Sequence, residues 1–598
     1  METMDSNKMA LEIDVLIVGT GPAGAASAAL LGTYGVRALV INKFGWTAPT
    51  PRAHITNQRT MEIIRDMGLE AEALQAASPQ ELMGENTYCT SLAGEELGRI
   101  KTWGNHPARR TDFELASPTK MCDLPQHLLE PIFINAAAKR GTKVRFDTEY
   151  LDHEQDAKGV TVSVRDRLTG ETYNIRCKYL IGADGANSKV LADAGLPLEG
   201  KMGVSGSINV HFEADLSRFA AHRPSVLYWV IQPGSSTGGL GIGVVRMVRP
   251  WNKWLAIWGY DIEQGPPEMT EAFAKEIVHN MIGDNSVPVK IEATSLWTVN
   301  DMFATSISKG RVFCMGDAIH RHPPTNGLGS NVSIQDAYNL AWKLALVLKG
   351  KAAPSLLSTY DPERTPVAKQ TVKRANKSLG DFPPIFKALG LLDAKSPQEM
   401  VSNMAARKAT TPKAAEQRAA LINAIDNTHY VYNAHGVEMN QRYASAAIVS
   451  DGTPNPEFKR DPELYHEHSS RPGAPVPHAW LVTKAGHRIS TLDLCGKGRF
   501  TLLTGIGGEA WEAAAYQVRE AYGIDLDVVI IGPGRDYEDI YGDFSHLREI
   551  EEDGALLVRP DLIVGWRSKT LSKSATDDLL SAFGKILGLS SKQRVAAE

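Results

Sequence analysis

Residues 13–41 constrain the fold more than any other segment. Ile13-Asp14-Val15-Leu16-Ile17-Val18 is a β-branched, almost continuously apolar run, the pattern of a parallel strand buried on both faces. It leads directly into Gly19-Thr20-Gly21-Pro22-Ala23-Gly24, then a small-residue helix candidate through Leu31, a stop at Gly35 and a second apolar strand at 36–41. Strand, G-x-G-x-x-G, helix and strand within about 30 residues read as a dinucleotide-binding unit. Gly19 permits the tight turn, Gly21 lets the backbone approach a pyrophosphate, and Gly24 lets the helix lie on the sheet. Pro22 suits the first helical turn, with Ala23 beside it. The free N–H groups of that helix then face the phosphates. The usual ribose carboxylate at the end of the second strand is replaced by Asn42, followed by Lys43. This loop alone does not separate FAD from NAD or NADP.

Composition excludes several function classes. The chain carries 64 Lys+Arg against 69 Asp+Glu, a net charge of −5, and has no basic block. That leaves no electrostatic footprint for nucleic acid and no polybasic membrane anchor. No apolar run approaches the roughly 18 residues of a membrane span, and METMDSNKMALEID lacks the basic start and apolar core of a signal peptide. The five cysteines, Cys89, Cys122, Cys177, Cys314 and Cys495, are widely spaced with no C-x-x-C, as expected in a reducing cytosol without a zinc or disulfide framework. A soluble cytoplasmic chain is the expectation. His320-x-His322 lacks a carboxylate or thiol at ligand spacing, so no metal is expected.

Two later blocks repeat the strand-then-glycine geometry. Tyr179-Leu180-Ile181 runs into Gly182-Ala183-Asp184-Gly185, and Arg311-Val312-Phe313-Cys314-Met315 into Gly316-Asp317-Ala318. A loop from His320 to Asn331 then precedes a helix expected over 332–349 and closed by Gly350. Open α/β sheets bind ligands at the carboxyl ends of their strands, where all three blocks would lie.

Together the three blocks resemble the group A flavin-dependent aromatic hydroxylases, the p-hydroxybenzoate and phenol hydroxylase superfamily, over nearly the whole chain. The resemblance implies FAD as cofactor, with Asp184 supporting the pyrophosphate region and Asp317 the ribityl chain. Pro324 would pack near the reactive face of the flavin. Gly329 and the backbone amides of Ser330 and Asn331 would border its N1–C2=O edge, where a helix N-terminus stabilises the charge of a reduced flavin. Arg52 would lie near the phosphates, and Gln126 would touch the cofactor. Leu191 stands where an arginine often follows the second block.

The implied fold is α/β: a Rossmann-type FAD-binding domain (1–200 and 300–375), an inserted β-sheet substrate domain (201–299), a helical connector (376–465) and a thioredoxin-like C-terminal domain (466–598). Strands are expected at 207–212, 225–229, 240–248 and 254–260, and in the last domain at 479–483, 500–506, 526–531, 556–558 and 562–566. With Cys495 alone the last domain has no dithiol chemistry, and its implied role is a homodimer or homotetramer interface. Trp229, Trp251, Trp254, Trp258 and Trp297 supply sheet core or the wall of a ring pocket.

Residues 49–62, PTPRAHITNQRTME, are similar to the bacterial chlorophenol monooxygenases, with His54 where related phenol hydroxylases carry an aspartate. A neutral histidine suits proton abstraction from a phenol. The alternative is a histidine that only packs beneath the flavin. Arg249 and Trp258 are expected across the pocket as substrate-side residues. The resemblance implies ortho-hydroxylation of a phenol to a catechol with O2 and NADPH, NADH being the alternative reductant. A hydroxylase of larger polyphenols or polyketides, and a non-catalytic binding module, are the rival readings.

Overall fold

The computed structural model describes residues 11–233 and 241–589. Most of the leader reading and the expected strand start at 240 fall outside them. The glycine turn joins strand Leu11–Val18 to helix Pro22–Thr33. Strand Leu11–Val18 pairs in parallel with Ala38–Ile41 on one side and Thr172–Gly182 on the other, and the latter pairs in parallel with Val312–Cys314. Val18 is in register with Gly182, and Gly182 with Cys314. The three glycine-bearing blocks therefore leave the sheet along one edge. Helix Pro22–Thr33 is buried almost all round because its Ala, Gly and Ser side chains admit helices Gln126–Lys139 and Gly329–Leu348 on either side.

The second sheet corrects the expected boundaries. Its order is His320–Arg321, Lys290–Ala304, Leu198–Glu213, Lys253–Tyr260, Ile242–Arg249, Ser225–Ile231, Glu85–Cys89 and Glu96–Lys101. The stretch 201–299 is thus not self-contained: a hairpin over 85–101, from within the first segment, completes the sheet by parallel pairing of Glu85–Cys89 with Ser225–Ile231. Pairing across so many residues leaves no local mark in the sequence. One face, with Val226, Val245, Met247 and Trp254, packs on helix Glu271–Ile282. The other face turns toward the FAD-binding domain.

Helices Pro383–Ala388, Pro397–Ala406 and Pro412–Asn427 form the connector, each opening on proline, where a missing N–H costs nothing. The C-terminal domain has the thioredoxin order. Strand Phe500–Gly505, helix Ala510–Tyr522 and parallel strand Leu526–Ile531 precede an antiparallel pair, Ala555–Val558 and Val564–Ser568, and helix Ala575–Leu587. It is locked to the FAD-binding domain by a fully buried ion cluster. Arg559 grips Glu363 with two N–H groups (2.7 and 2.9 Å) and also binds Asp561, while Lys343 donates to Glu363 at 2.7 Å. Burial opposes ionisation of Glu363, but Arg559 and Lys343 overcome it and hold the carboxyl far below its usual range.

All five cysteines are buried and free. Among the described residues, no helix is long and apolar enough to cross a membrane, and no group of three or more His, Cys, Asp or Glu is arranged to hold a metal ion.

Candidate active site

The glycine turn is as tight as its sequence demands. Gly19 has φ +105°, and a Cβ there would lie 2.3 Å from the Ala183 carbonyl oxygen, so the first and second blocks touch. A Cβ on Gly316 would lie 3.0 Å from Ala23 Cβ, which sets the third block against the same turn. Over Gly21 the space is open: only Glu130 Oε1, at 4.0 Å, comes near a Cβ placed there. Gly21 is also the N-cap of helix Pro22–Thr33 and has no side chain to cap it. An open approach to free helix N–H groups fits a pyrophosphate, so this edge of the sheet suits a dinucleotide cofactor.

Several expected contacts are engaged within the protein. The Asp184 carboxylate binds Ser188 Oγ and the amides of Lys189 and Val190, capping the next helix. Asn42 Nδ2 donates to Thr20 Oγ1 (2.6 Å) and to the Trp46 carbonyl. Gln126 Nε2 donates to Glu130. The side chains of Lys43, Arg52, Asp317 and Pro324 are exposed. Gly316 N–H donates to buried Asp336, which also binds His320 (3.0 Å) and Arg364 (2.7 Å). That carboxylate fixes the turn carrying Asp317.

The helix expected from 332 begins at Gly329. Gly329, Ser330 and Asn331 are poor helix formers, but they occupy the first turn, where N–H groups have no intrahelical partner. Asn331 stitches that turn to the histidine segment. Its Oδ1 accepts the Asn57 amide and its Nδ2 donates to the carbonyls of Ile55 and Gly327.

His54 is held between that segment and the start of helix Gln126–Lys139. Its carbonyl accepts the Leu124 amide, and Ala53 that of Gln126. Its Nδ1 lies 3.1 Å from Oδ2 of fully buried Asp123, whose Oδ1 has no partner. An Nδ1–H donated to a carboxylate leaves Nε2 as acceptor. Burial and the charge of Arg246 lower the His54 pKa, against the opposing pull of Asp123. The ring is therefore neutral at neutral pH.

The two substrate-side candidates are placed differently. Trp258 pairs with Gly243, and a Cβ on Gly243 would meet the Trp258 ring at 2.4 Å and Met281 at 2.6 Å. The indole therefore belongs to the face under helix Glu271–Ile282, away from His54. Arg249 is bound to the Ala76 carbonyl. The arginine beside His54 is Arg246, 2% exposed, whose guanidinium binds the carbonyls of Pro51 and Arg52 and leaves Nε unpartnered. Burial lowers its pKa to about 10, so it stays charged. An arginine inside the apolar run Val244-Val245-Arg246-Met247-Val248 was the readable signal for it. Asp123 carried no comparable signal, because its partner lies 69 residues away.

Further along the Arg246 face, Leu227 pairs with Arg246 and Trp229 with Val244. Trp229 packs on Tyr88 and on Phe382, with ring centroids 6.3 and 4.5 Å apart. The Tyr432 hydroxyl faces Tyr88, Trp229 and Asn86, yet none of these polar ends makes a well-formed hydrogen bond. These side chains form an apolar cluster with a polar end. Behind it, Asn326 of the 320–331 loop grips the carbonyls of Tyr430 and Val431.

Comparison with known proteins agrees with this architecture. The family described as FAD binding domain matches residues 12–375, and the one described as aromatic-ring hydroxylase, C-terminal, matches 469–589. A 2,4-dichlorophenol 6-monooxygenase of Delftia acidovorans is 66% identical over 586 residues, 98% of this chain and 100% of the relative. A phenol 2-monooxygenase of Pseudomonas sp. (strain EST1001) is 52% identical, covering 96% of this chain and 93% of the relative. The crystal structure of the flavin-dependent monooxygenase PieE, in complex with FAD and substrate, matches with a TM-score of 0.92 at 44% identity, covering 97% of this chain and 100% of that one.

Proposed function

We infer, for a chain that belongs to the FAD-dependent aromatic-ring monooxygenases, that its substrate is a chlorinated phenol such as 2,4-dichlorophenol, hydroxylated ortho to its hydroxyl to give a catechol. The observation that carries this reading is the His54–Asp123 pair beside buried Arg246, at the apolar sheet face next to the 320–331 loop. FAD bound there would supply the redox and oxygen-activating chemistry, with NADPH as the reductant.

The protein's part is to prepare the ring. His54 Nε2 accepts the phenolic proton, and Asp123 holds the imidazole in the tautomer that can do so. The Arg246 charge, desolvated beneath the sheet, stabilises the phenolate that results. A phenolate donates electron density to its ortho carbon far better than a phenol does. Trp229, Phe382 and the sheet keep water from the reacting centre. Ring substituents are directed toward the Tyr88–Tyr432 end. The first turn of helix Gly329–Leu348, at Gly329, Ser330 and Asn331, offers free N–H groups to negative charge on the cofactor. Arg52 and Asp317, exposed at the mouth, serve the phosphates and the ribityl chain. Self-association is assigned to the C-terminal domain, where Tyr516, Ile540 and Tyr541 are exposed.

The test is coupled turnover. Purified protein is yellow, and 2,4-dichlorophenol accelerates NADPH oxidation with matching O2 uptake and formation of 3,5-dichlorocatechol. Oxidation of NADPH that yields only H2O2 across chlorophenols, with turnover of polycyclic phenols instead, would overturn the substrate class.

A further inference from the structure

Glu130 is a carboxylate in an unexpected place. It is 1% exposed and sits one turn after Gln126 on the same helix face. Oε2 accepts the Ala48 amide at 2.7 Å, and Oε1 accepts Gln126 Nε2 at 2.5 Å. Oε1 is also the atom nearest to a Cβ placed on Gly21, at 4.0 Å. The residue thus joins three elements of the dinucleotide cradle: the loop after the second strand, helix Gln126–Lys139 and the glycine turn.

An ionised carboxylate beside that turn would face the negative charge of a pyrophosphate in a desolvated setting, which is strongly unfavourable. A neutral carboxylic acid has an O–H to donate, and phosphate oxygens are strong acceptors. On the reading that FAD lies over the glycine turn, we propose that Glu130 is a cofactor-positioning residue that engages the FAD pyrophosphate as a neutral acid, so that FAD binding takes up one proton at mildly alkaline pH.

The surroundings agree. Arg52 is the charged group that acts on Glu130. Helix Pro22–Thr33 carries no titratable side chain, and the neighbour on its own helix face is the Gln126 amide. Burial raises the Glu130 pKa, while the Ala48 amide, Gln126 and Arg52 lower it, leaving about 7. A pyrophosphate alongside raises it further.

The test is FAD binding to apoprotein, followed by flavin fluorescence from pH 6 to 9, with calorimetry at pH 8 in two buffers of different ionisation enthalpy. Wild-type Kd is expected to weaken by roughly tenfold per pH unit above pH 7, with close to one proton taken up per FAD. Glu130→Gln keeps a donor and the shape. It is expected to bind with a flat pH profile, matching wild type near pH 6 and exceeding it by more than tenfold at pH 8.5. A flat wild-type profile with no proton uptake overturns the proposal. So does equal weakening of Glu130→Gln at every pH, which would make Glu130 an ionised acceptor for a cofactor hydroxyl. Wild-type protein that binds no FAD at any pH would instead refute the cofactor reading itself.

Discussion

Replacing a buried acid should stabilise this protein, and by an amount that depends on pH. Glu438, in the short helix His435–Met439, is 5% exposed, and its Oε2 has no hydrogen-bond partner. Burial alone raises its pKa from the ordinary 4.5 to about 8. Between those values the folded chain binds a proton that the unfolded chain has released, so stability falls as pH rises through the window. Relative to a neutral isostere, such a group costs about 1 kcal/mol at pH 5, about 3 kcal/mol at pH 7 and about 5 kcal/mol at pH 9. Glu438→Gln should recover those amounts. For 598 residues melting as one unit, about 3 kcal/mol raises the melting midpoint by roughly 2–3 °C. Differential scanning fluorimetry of both proteins from pH 5 to 9 checks it. The expected result is a gain that grows with pH and levels off above pH 8. A gain independent of pH, or a loss at pH 8, would refute a partnerless, desolvated carboxylate.

Four other outcomes follow from the site and its supports. His54→Ala should lower kcat/KM for phenol hydroxylation by about 10²–10⁴-fold while leaving FAD bound; an unchanged pH profile would show that His54 is not the base. The acid limb of kcat/KM should lie below pH 6.5, shift lower in Asp123→Asn and higher in Arg246→Gln, because Asp123 raises and Arg246 lowers the His54 pKa. Gly19→Ala should abolish retention of FAD, since φ is +105° and the new methyl would meet the Ala183 carbonyl at 2.3 Å; yellow protein after gel filtration would contradict the packing. Arg559→Met should destabilise the chain by about 3–5 kcal/mol by leaving Glu363 and Asp561 short of their shared partner, which urea denaturation would report.

The FAD-binding half was legible in the sequence because its signals are local. Gly19 to Gly24, Gly182 to Asp184 and Gly316-Asp317 each mark a strand end by residue type alone, since only glycine tolerates those dihedrals and contacts. The strands of the last domain were legible for the same reason: apolar runs such as Leu526–Ile531 stand out from their surroundings. His54 was readable as a candidate base by its place after Pro51-Arg52-Ala53, but its state was not. Asp123, which orients it, and Arg246, which depresses its pKa, arrive from strands 69 and 192 residues away. Strand parity decided the rest. A one-residue phase difference sends Trp258 to the face under helix Glu271–Ile282, while Arg246 points to the opposite face. Local sequence determines where the chain turns and which runs are buried. The charges that meet in the interior are decided by sheet pairing across long separations, and those meetings set the proton affinities on which the chemistry depends.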